Sequence, residues 1–326
     1  MEQAAAVVGI DVSKATLDVA VVQGGKKAEV RQYANDAAGV KALATWLKQR
    51  RAREAHVCLE ATGTYGDAVA LALYQAGYRV SVVNPARIKA YGQSQLKRNK
   101  TDRLDAALIA DFCRTQQPEL WTPPDPVWLE LRAMARHLVD LKSMRQQEKN
   151  RLGVETSTKV QEVLEAHITF IDHQIEDLEQ DIQRFIDQHP DLKRDRELLV
   201  SIPGLSDLSA SLLLAEVPDL RAFGSARQLV AFAGLNPQQR TSGSSVRGQT
   251  PLSKMGSPTL RRVLYMPALA AQRFNPILAP WAAQLKARGK SKMETLGAVM
   301  RKLLVLAYGV LKSGQPFDPA FSTAAP

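Results

Sequence analysis

Cysteine is nearly missing: 326 residues hold two, Cys58 and Cys113, each among apolar neighbours. With no CxxC pair and no Cys/His spacing, the pattern argues against a zinc module and against a disulfide framework, and both thiols are expected as reduced core residues. Long hydrophobic runs are missing too. The longest, such as "KLLVLAYGVL", is about half of the roughly 18 residues that mark a membrane helix. "MEQAAAVVGIDVSK" has no basic region ahead of a hydrophobic stretch, so an unexported, soluble, cytoplasmic chain with no membrane partner is expected. Histidine is scarce, and none follows His189. A serine acting in the last third of the chain must therefore be activated from elsewhere.

Acids are the most unevenly distributed absence. Residues 221–317 hold 15 Lys or Arg and one carboxylate, Glu294, so this stretch exceeds the net charge of +10 carried by the whole chain. A basic C-terminal part on an acidic remainder implies a polyanionic partner, because each cation set near a phosphate releases a condensed counterion. The cations lie among Gly, Ser and Pro rather than along one amphipathic helix, which favours nucleic acid over an anionic membrane.

What is present reads as two kinds of structure. Residues 7–33 alternate as a three-strand meander, "VVGI", "TLDVAVV" and "AEVRQY". A helix near 36–51, the strand "HVCLE", a helix near 65–76, the strand "RVSVVN" and a helix holding "LKRNKTDRLDAALIA" follow. The order βββαβαβα predicts an α/β layer with one antiparallel edge, the order of ribonuclease-H-like folds. "WTPPDP" at 121–126 is a boundary. Beyond it the periodicity is helical, and Leu164, Ile168, Ile171, Ile175, Leu178, Ile182 and Phe185 form a short heptad seam expected as a coiled coil or bundle helix. "LLVSIPGLSDLSASLLLAEV" resembles a helix-hairpin-helix or a plain helical hairpin, and residues 236–258 read as a long Gly/Ser/Gln/Pro loop. The expected domains are 1–120, 127–190 and 197–326.

The chemistry concentrates in four carboxylates. Asp11 ends the first strand, Glu60 ends the fourth, and Asp102 and Asp105 sit one helical turn apart after the fifth. Adjacent strand ends lie close in an α/β layer, and an i, i+3 pair aims two acids one way. Singly, each has an ordinary explanation, since Asp suits first helical turns and turns between strands. Together, in this order, they suit a hard divalent cation, Mg2+ or Mn2+, engaged in phosphoryl transfer. Asp18 and Asp111 are read as plain exposed positions. Lys97, Arg98, Lys100 and Arg103 around the acids are expected on a nucleic-acid backbone. "RTSGSSVRG" at 240–248 sets Arg240 and Arg247 beside exposed hydroxyls, and Lys254, Arg261 and Arg262 extend the basic set.

These residues, "GIDVSK", "CLEATGTY", "NKTDRLDA", "IPGL", "FAGLNP", "SGSSVRG" and "SKMGSPTLRRVLY", resemble in order and spacing the Piv-type DEDD transposases of insertion sequences, also called bridge recombinases. The resemblance implies a RuvC-like N-terminal domain carrying Asp11, Glu60, Asp102 and Asp105, a coiled-coil middle, and a mainly α C-terminal transposase domain with a nucleophilic serine at Ser242. It further implies double-stranded donor and target DNA, a structured non-coding guide RNA, dimers pairing to a tetramer, and a bacterial, nucleoid-associated setting. Ser206 in the hairpin and "SPT" at 257–259 depart from the common family pattern. The rival expectations are a metal-dependent junction nuclease, in which water attacks, and a non-enzymatic nucleic-acid scaffold.

Overall fold

The structure, a computed structural model, describes residues 6–24, 28–50, 52, 54–61, 64–95, 102–217, 219–238, 241–242, 246–247 and 251–320, with backbone alone at 64, 102–104, 241–242 and 246–247. Two compact units divide the chain, Met1–Pro123 and Pro124–Pro326.

The first unit is built on β1 (Val7–Val12), β2 (Thr16–Val22) and β3 (Glu29–Ala34), then α1 (Ala37–Gln49), β4 (His56–Glu60), α2 (Thr64–Gln75), β5 (Arg79–Val83), α3 (Pro85–Ser94) and α4 (Asp102–Gln116). The sheet order is β3-β2-β1-β4-β5, antiparallel across β3-β2-β1 and parallel across β1-β4-β5. Alternation along each strand sorts side chains to two covers. Val8, Ile10, Leu17, Val19, Val57 and Leu59 join Leu43, Trp46, Leu47, Val69 and Leu73 on the side of α1 and α2. Val7, Cys58 and Val83 join Ile88, Ile109, Phe112 and Cys113 on the side of α3 and α4. The two cysteines are free and buried in that second layer, as their apolar neighbours predict.

One helix was not read from the sequence. The stretch after β5 is broken in two, with α3 ending at Ser94 and α4 starting at Asp102. Its start was signalled by "NP": Asn84 caps α3 by accepting from the Ala86 amide at 2.8 Å, and Pro85 stands at the first helical position.

The second unit is helical: α5 (Pro126–Leu152), α6 (Thr158–Asp187), α7 (Pro190–Val200), α8 (Asp207–Glu216) and α9 (Ala226–Phe232), then a two-stranded ladder of β6 (Thr241–Ser242) and β7 (Val246–Arg247), then α10 (Pro258–Phe274), α11 (Leu278–Ala287) and α12 (Lys292–Ser313). Helices α5 and α6 form an antiparallel pair. Ion pairs cross between them from Lys142 to Glu179 and from Arg145 to Asp172. The heptad seam faces inward in this pair: Ile168, Ile171, Ile175 and Ile182 are buried, and the last three share one core with Leu131 and Leu138 of α5 and with α7–α12. The hairpin between α7 and α8 lies flush on α10, since a Cβ on Gly204 (φ +113°) would stand 2.7 Å from the Ala271 Cβ. Ser206 caps α8, and Asn275 donates to the Pro203 carbonyl at 3.0 Å.

Candidate functional site

Gly9 decides where the N-terminal carboxylates lie. A Cβ there would stand 2.2 Å from the Ala110 amide nitrogen and 2.3 Å from the Ala106 carbonyl oxygen, so α4 crosses β1 with backbone nearly on backbone. Further along α4, the Cys113 thiol donates to the His56 carbonyl at 3.5 Å, and His56 is the register partner of Val7. From Cys113 back to Ala106, α4 thus climbs β1 from Val7 to Gly9. Its first turn, with Asp102 and Asp105, continues toward the C-terminal ends of β1 and β4, where Asp11 and Glu60 stand.

The strand period sets the facing. Gly9 and Cys58 are register partners turned toward α4, so Asp11 and Glu60, two residues on in each strand, belong to the same face. Asp11, Glu60 and Asp105 are each partly exposed. Asp18 corrects the expectation of an ordinary exposed position: it is 4% exposed, pairs in register with Asp11, and accepts from the Gln32 side-chain amide at 3.1 and 3.2 Å. Its neighbour on that face, Ala20, packs against Ala106 and Ala110. The small side chain at Ala20, out of phase with Leu17, Val19 and Val21, was the available sign that a helix covers this side. Asp111 is half-buried rather than exposed, accepting from the Tyr91 hydroxyl and the Arg114 guanidinium at 2.7 Å each, which ties α3 to α4.

By donor chemistry the set fits a hard divalent cation, all four members being carboxylates. Among the described residues, no three His, Cys, Asp or Glu side chains are gathered closely enough to hold a metal. The side chains of Asp102 and Arg103 lie outside the described residues, as do Lys97, Arg98 and Lys100 altogether.

In the second unit, the long loop expected at 236–258 is a hairpin with a stapled base. The Gln238 amide donates to the Pro251 carbonyl and the Ser253 amide to Asn236, both at 2.7 Å; Lys254 donates to Gly234 at 3.1 Å and Ser257 to Phe232 at 2.9 Å. Further along the same segment, β6 and β7 form a separate antiparallel pair in which Ser242 is in register with Val246 and Thr241 with Arg247. Ser242, paired with Val246, is thus the last described residue of β6. The side chains of Ser242 and Arg247 are outside the described residues, as is all of Arg240.

Arg261 closes the base of this arm. One of its terminal nitrogens donates to the carbonyls of Ala233, Gly256 and Ser257 at 3.0, 3.3 and 3.2 Å. Gly234 (φ +67°) makes the room, since a Cβ there would meet that nitrogen at 2.7 Å. The sequence motifs "FAGLNP" and "SKMGSPTLRR" therefore carry a structural joint as well as charge. Lys254 and Arg262, by contrast, are exposed.

Comparison with known proteins now bears on both units. Residues 8–154 match a family of DEDD type described as a transposase, and residues 196–281 match the transposase family of IS116, IS110 and IS902. The pilin gene-inverting protein of Moraxella bovis is 31% identical over 315 residues, 95% of this chain and 97% of that one. The chain belongs to the IS110/IS116 transposase family. An insertion element IS110 protein of Streptomyces coelicolor is 27% identical over 155 residues, 48% of this chain and 37% of that protein. The Thermus thermophilus RuvC structure is 18% identical, matching 36% of this chain and 99% of that one with a TM-score of 0.26. The chain is thus a DNA-rearranging enzyme of the insertion-sequence transposase type. No helix among the described residues is long and apolar enough to cross a membrane.

Proposed function

We propose that the chain cuts and rejoins DNA through a phosphoserine link at Ser242, guided by a structured non-coding RNA, with Asp11, Glu60, Asp102 and Asp105 as ligands of Mg2+ or Mn2+. The observation that supports this reading is the course of α4, whose first turn runs toward the C-terminal ends of β1 and β4, near which Asp11 and Glu60 lie. Divalent metal at that edge would neutralise charge on the scissile phosphate. The Ser242 oxygen attacks phosphorus; the bond from phosphorus to one sugar oxygen breaks, and that oxygen leaves as a hydroxyl with a proton. Attack by the hydroxyl of the exchanged strand reverses the step and frees the serine, so the energy of the broken ester is kept and no nucleotide cofactor is needed.

Support for the nucleophile comes from placement. Ser242 stands on an arm whose base is held by backbone pairing and Arg261, which suits a group that must be presented to a bulky substrate. The basic region 221–317 would bind the phosphates of double-stranded DNA and guide RNA. We further propose dimers that pair into a tetramer, with the acids of one chain serving the serine of another.

The test is a denaturing gel of a nicked or suicide DNA substrate with the guide RNA encoded beside the element. The expected result is a protein–DNA band with the wild type and none with Ser242→Ala, whose DNA binding stays intact. A band that persists in Ser242→Ala moves the nucleophile to another group, and cleavage without any band favours the junction nuclease. For sharing between chains, Asp102→Asn and Ser242→Ala proteins are mixed. Recovered cleavage supports composite sites; none, with mixed oligomers confirmed by different tags, removes them.

A further inference from the structure

Helix α10 is apolar on two sides. Its inner face buries Leu260, Val263, Leu264, Ala268 and Ala271 in the core. The outer face, which would ordinarily be polar, shows Tyr265, Met266 and Leu269, with Phe274 at its end, and Met266 and Phe274 are 66% and 71% exposed. Together with Met293 at the start of α12 these residues line an open groove of about 720 Å³ floored by Leu296. That volume lies in the range of roughly 300–1,000 Å³ typical of sites that enclose a small molecule.

The polar lining has one sign. Arg273, Lys286 and Lys292 stand around the groove, and no carboxylate lines it. The single acid of this region, Glu294, is already engaged, accepting from the Lys290 ammonium at 3.1 Å and the Ser291 amide at 2.9 Å. Two aromatic rings and flexible thioethers ringed by cations match a chain that offers flat π-faces joined by phosphates. A second copy of this region would bring the same positive charge to the same place and be repelled.

We propose that this groove holds an unpaired DNA strand, with bases stacked on Tyr265 and Phe274 and flanking phosphates on Arg273, Lys286 and Lys292. The inference rests on the chain being a DNA strand-exchange enzyme, since strand exchange requires bases that have left one duplex before they join the next. It adds to that reading a place where those bases are held.

Fluorescence anisotropy with a labelled oligodeoxythymidine of about ten residues, and with a duplex and an oligouridine of the same length, tests it on the full chain. Phe274→Ala and Tyr265→Ala are expected to weaken thymidine-strand binding about five- to a hundred-fold, the span of one stacked base, while duplex affinity changes less than about two-fold. Both positions are exposed, and an unchanged melting temperature would show that the fold is kept. Arg273→Gln with Lys286→Gln should lower the salt slope for the strand by about 0.7 unit per lost phosphate contact. Unchanged thymidine-strand affinity in both aromatic variants overturns the proposal. So does an effect confined to oligouridine, or loss of self-association in its place. Failure of the wild type to bind duplex would instead count against the proposed recombinase, so the two failures are distinguishable.

Discussion

Asp11 of β1 and Asp18 of β2 stand directly opposite each other in the antiparallel ladder, on the side of the sheet that α4 covers. Like charges so placed destabilise a sheet by a few tenths to about 1 kcal/mol, and Asp18 is nearly buried, with Gln32 as its donor. A cation bound beside them would offset that repulsion.

In a chelating buffer, Asp11→Asn is therefore expected to raise unfolding stability by a few tenths to about 1 kcal/mol while abolishing cleavage. Adding Mg2+ or Mn2+ should stabilise the wild type by mass action and leave the variant nearly unmoved. Thermal melts of both proteins with and without metal read this directly. A wild type indifferent to either ion would remove the metal reading of these acids.

Gly9→Val should be severe although the side chain is apolar and the strand suits Val. The new Cβ would collide with the backbone of α4 at 2.2 Å, so the helix must move off the sheet, at a cost of about 1–3 kcal/mol or more. That movement would also carry the first turn of α4 away from Asp11 and Glu60. Urea unfolding of residues 1–123 in the full chain, alongside cleavage, should show both losses. Gly309→Ala in α12 is the contrast. Its new methyl meets nothing within 4 Å, so a gain of about 0.5–1 kcal/mol is expected.

Strands and their order were legible because alternation marks a sheet whose layers cover both faces, as in "TLDVAVV" with Leu17, Val19 and Val21 on the α1 side. What alternation does not carry is the identity of the second cover. Asp18 occupies the other phase and looked solvated until Ala20 was seen against Ala106 and Ala110. The break between α3 and α4 was hidden for a related reason: residues 85–116 hold helical periodicity on both sides of the gap. The hairpin at 234–254 has almost no hydrophobic pattern, and its pairing is backbone to backbone with glycines at its base, which leaves composition looking like loop. Arg261 was read as one more cation because charge counts do not distinguish a guanidinium facing solvent from one spent on carbonyls.

Acid should loosen the start of α12 within a definite pH window. Glu294 accepts from the Ser291 amide and hydroxyl and from Lys290, which together hold its carboxyl down to about 2 from an ordinary 4.5. A depressed folded value means that the stabilisation is fully present above about pH 4.5 and is lost as pH falls toward 2. Glu294→Gln should therefore lower the urea midpoint at neutral pH, and the difference from wild type should shrink as pH falls from about 4.5 and close near 2. A difference constant with pH would mean that packing, not the charged cap, is what the substitution disturbs.

Two adjacent arginines should separate fold from binding. Arg261 gives one nitrogen to three carbonyls at the base of the serine arm. Its replacement by Ala leaves these acceptors short of a charged donor and costs about 1–3 kcal/mol. Arg262 is exposed on the next position of α10, so Arg262→Ala should leave the unfolding midpoint unchanged and lower the salt slope of duplex binding by about one unit. Arg261→Lys gives the sharper test: a lysine keeps the charge but presents a point donor rather than a planar fork, so the salt slope is expected to survive while stability falls. If Arg261→Ala instead kept its stability and lowered the slope by about one unit, the side chain would be on phosphate, and the arm would be held by its backbone pairing alone.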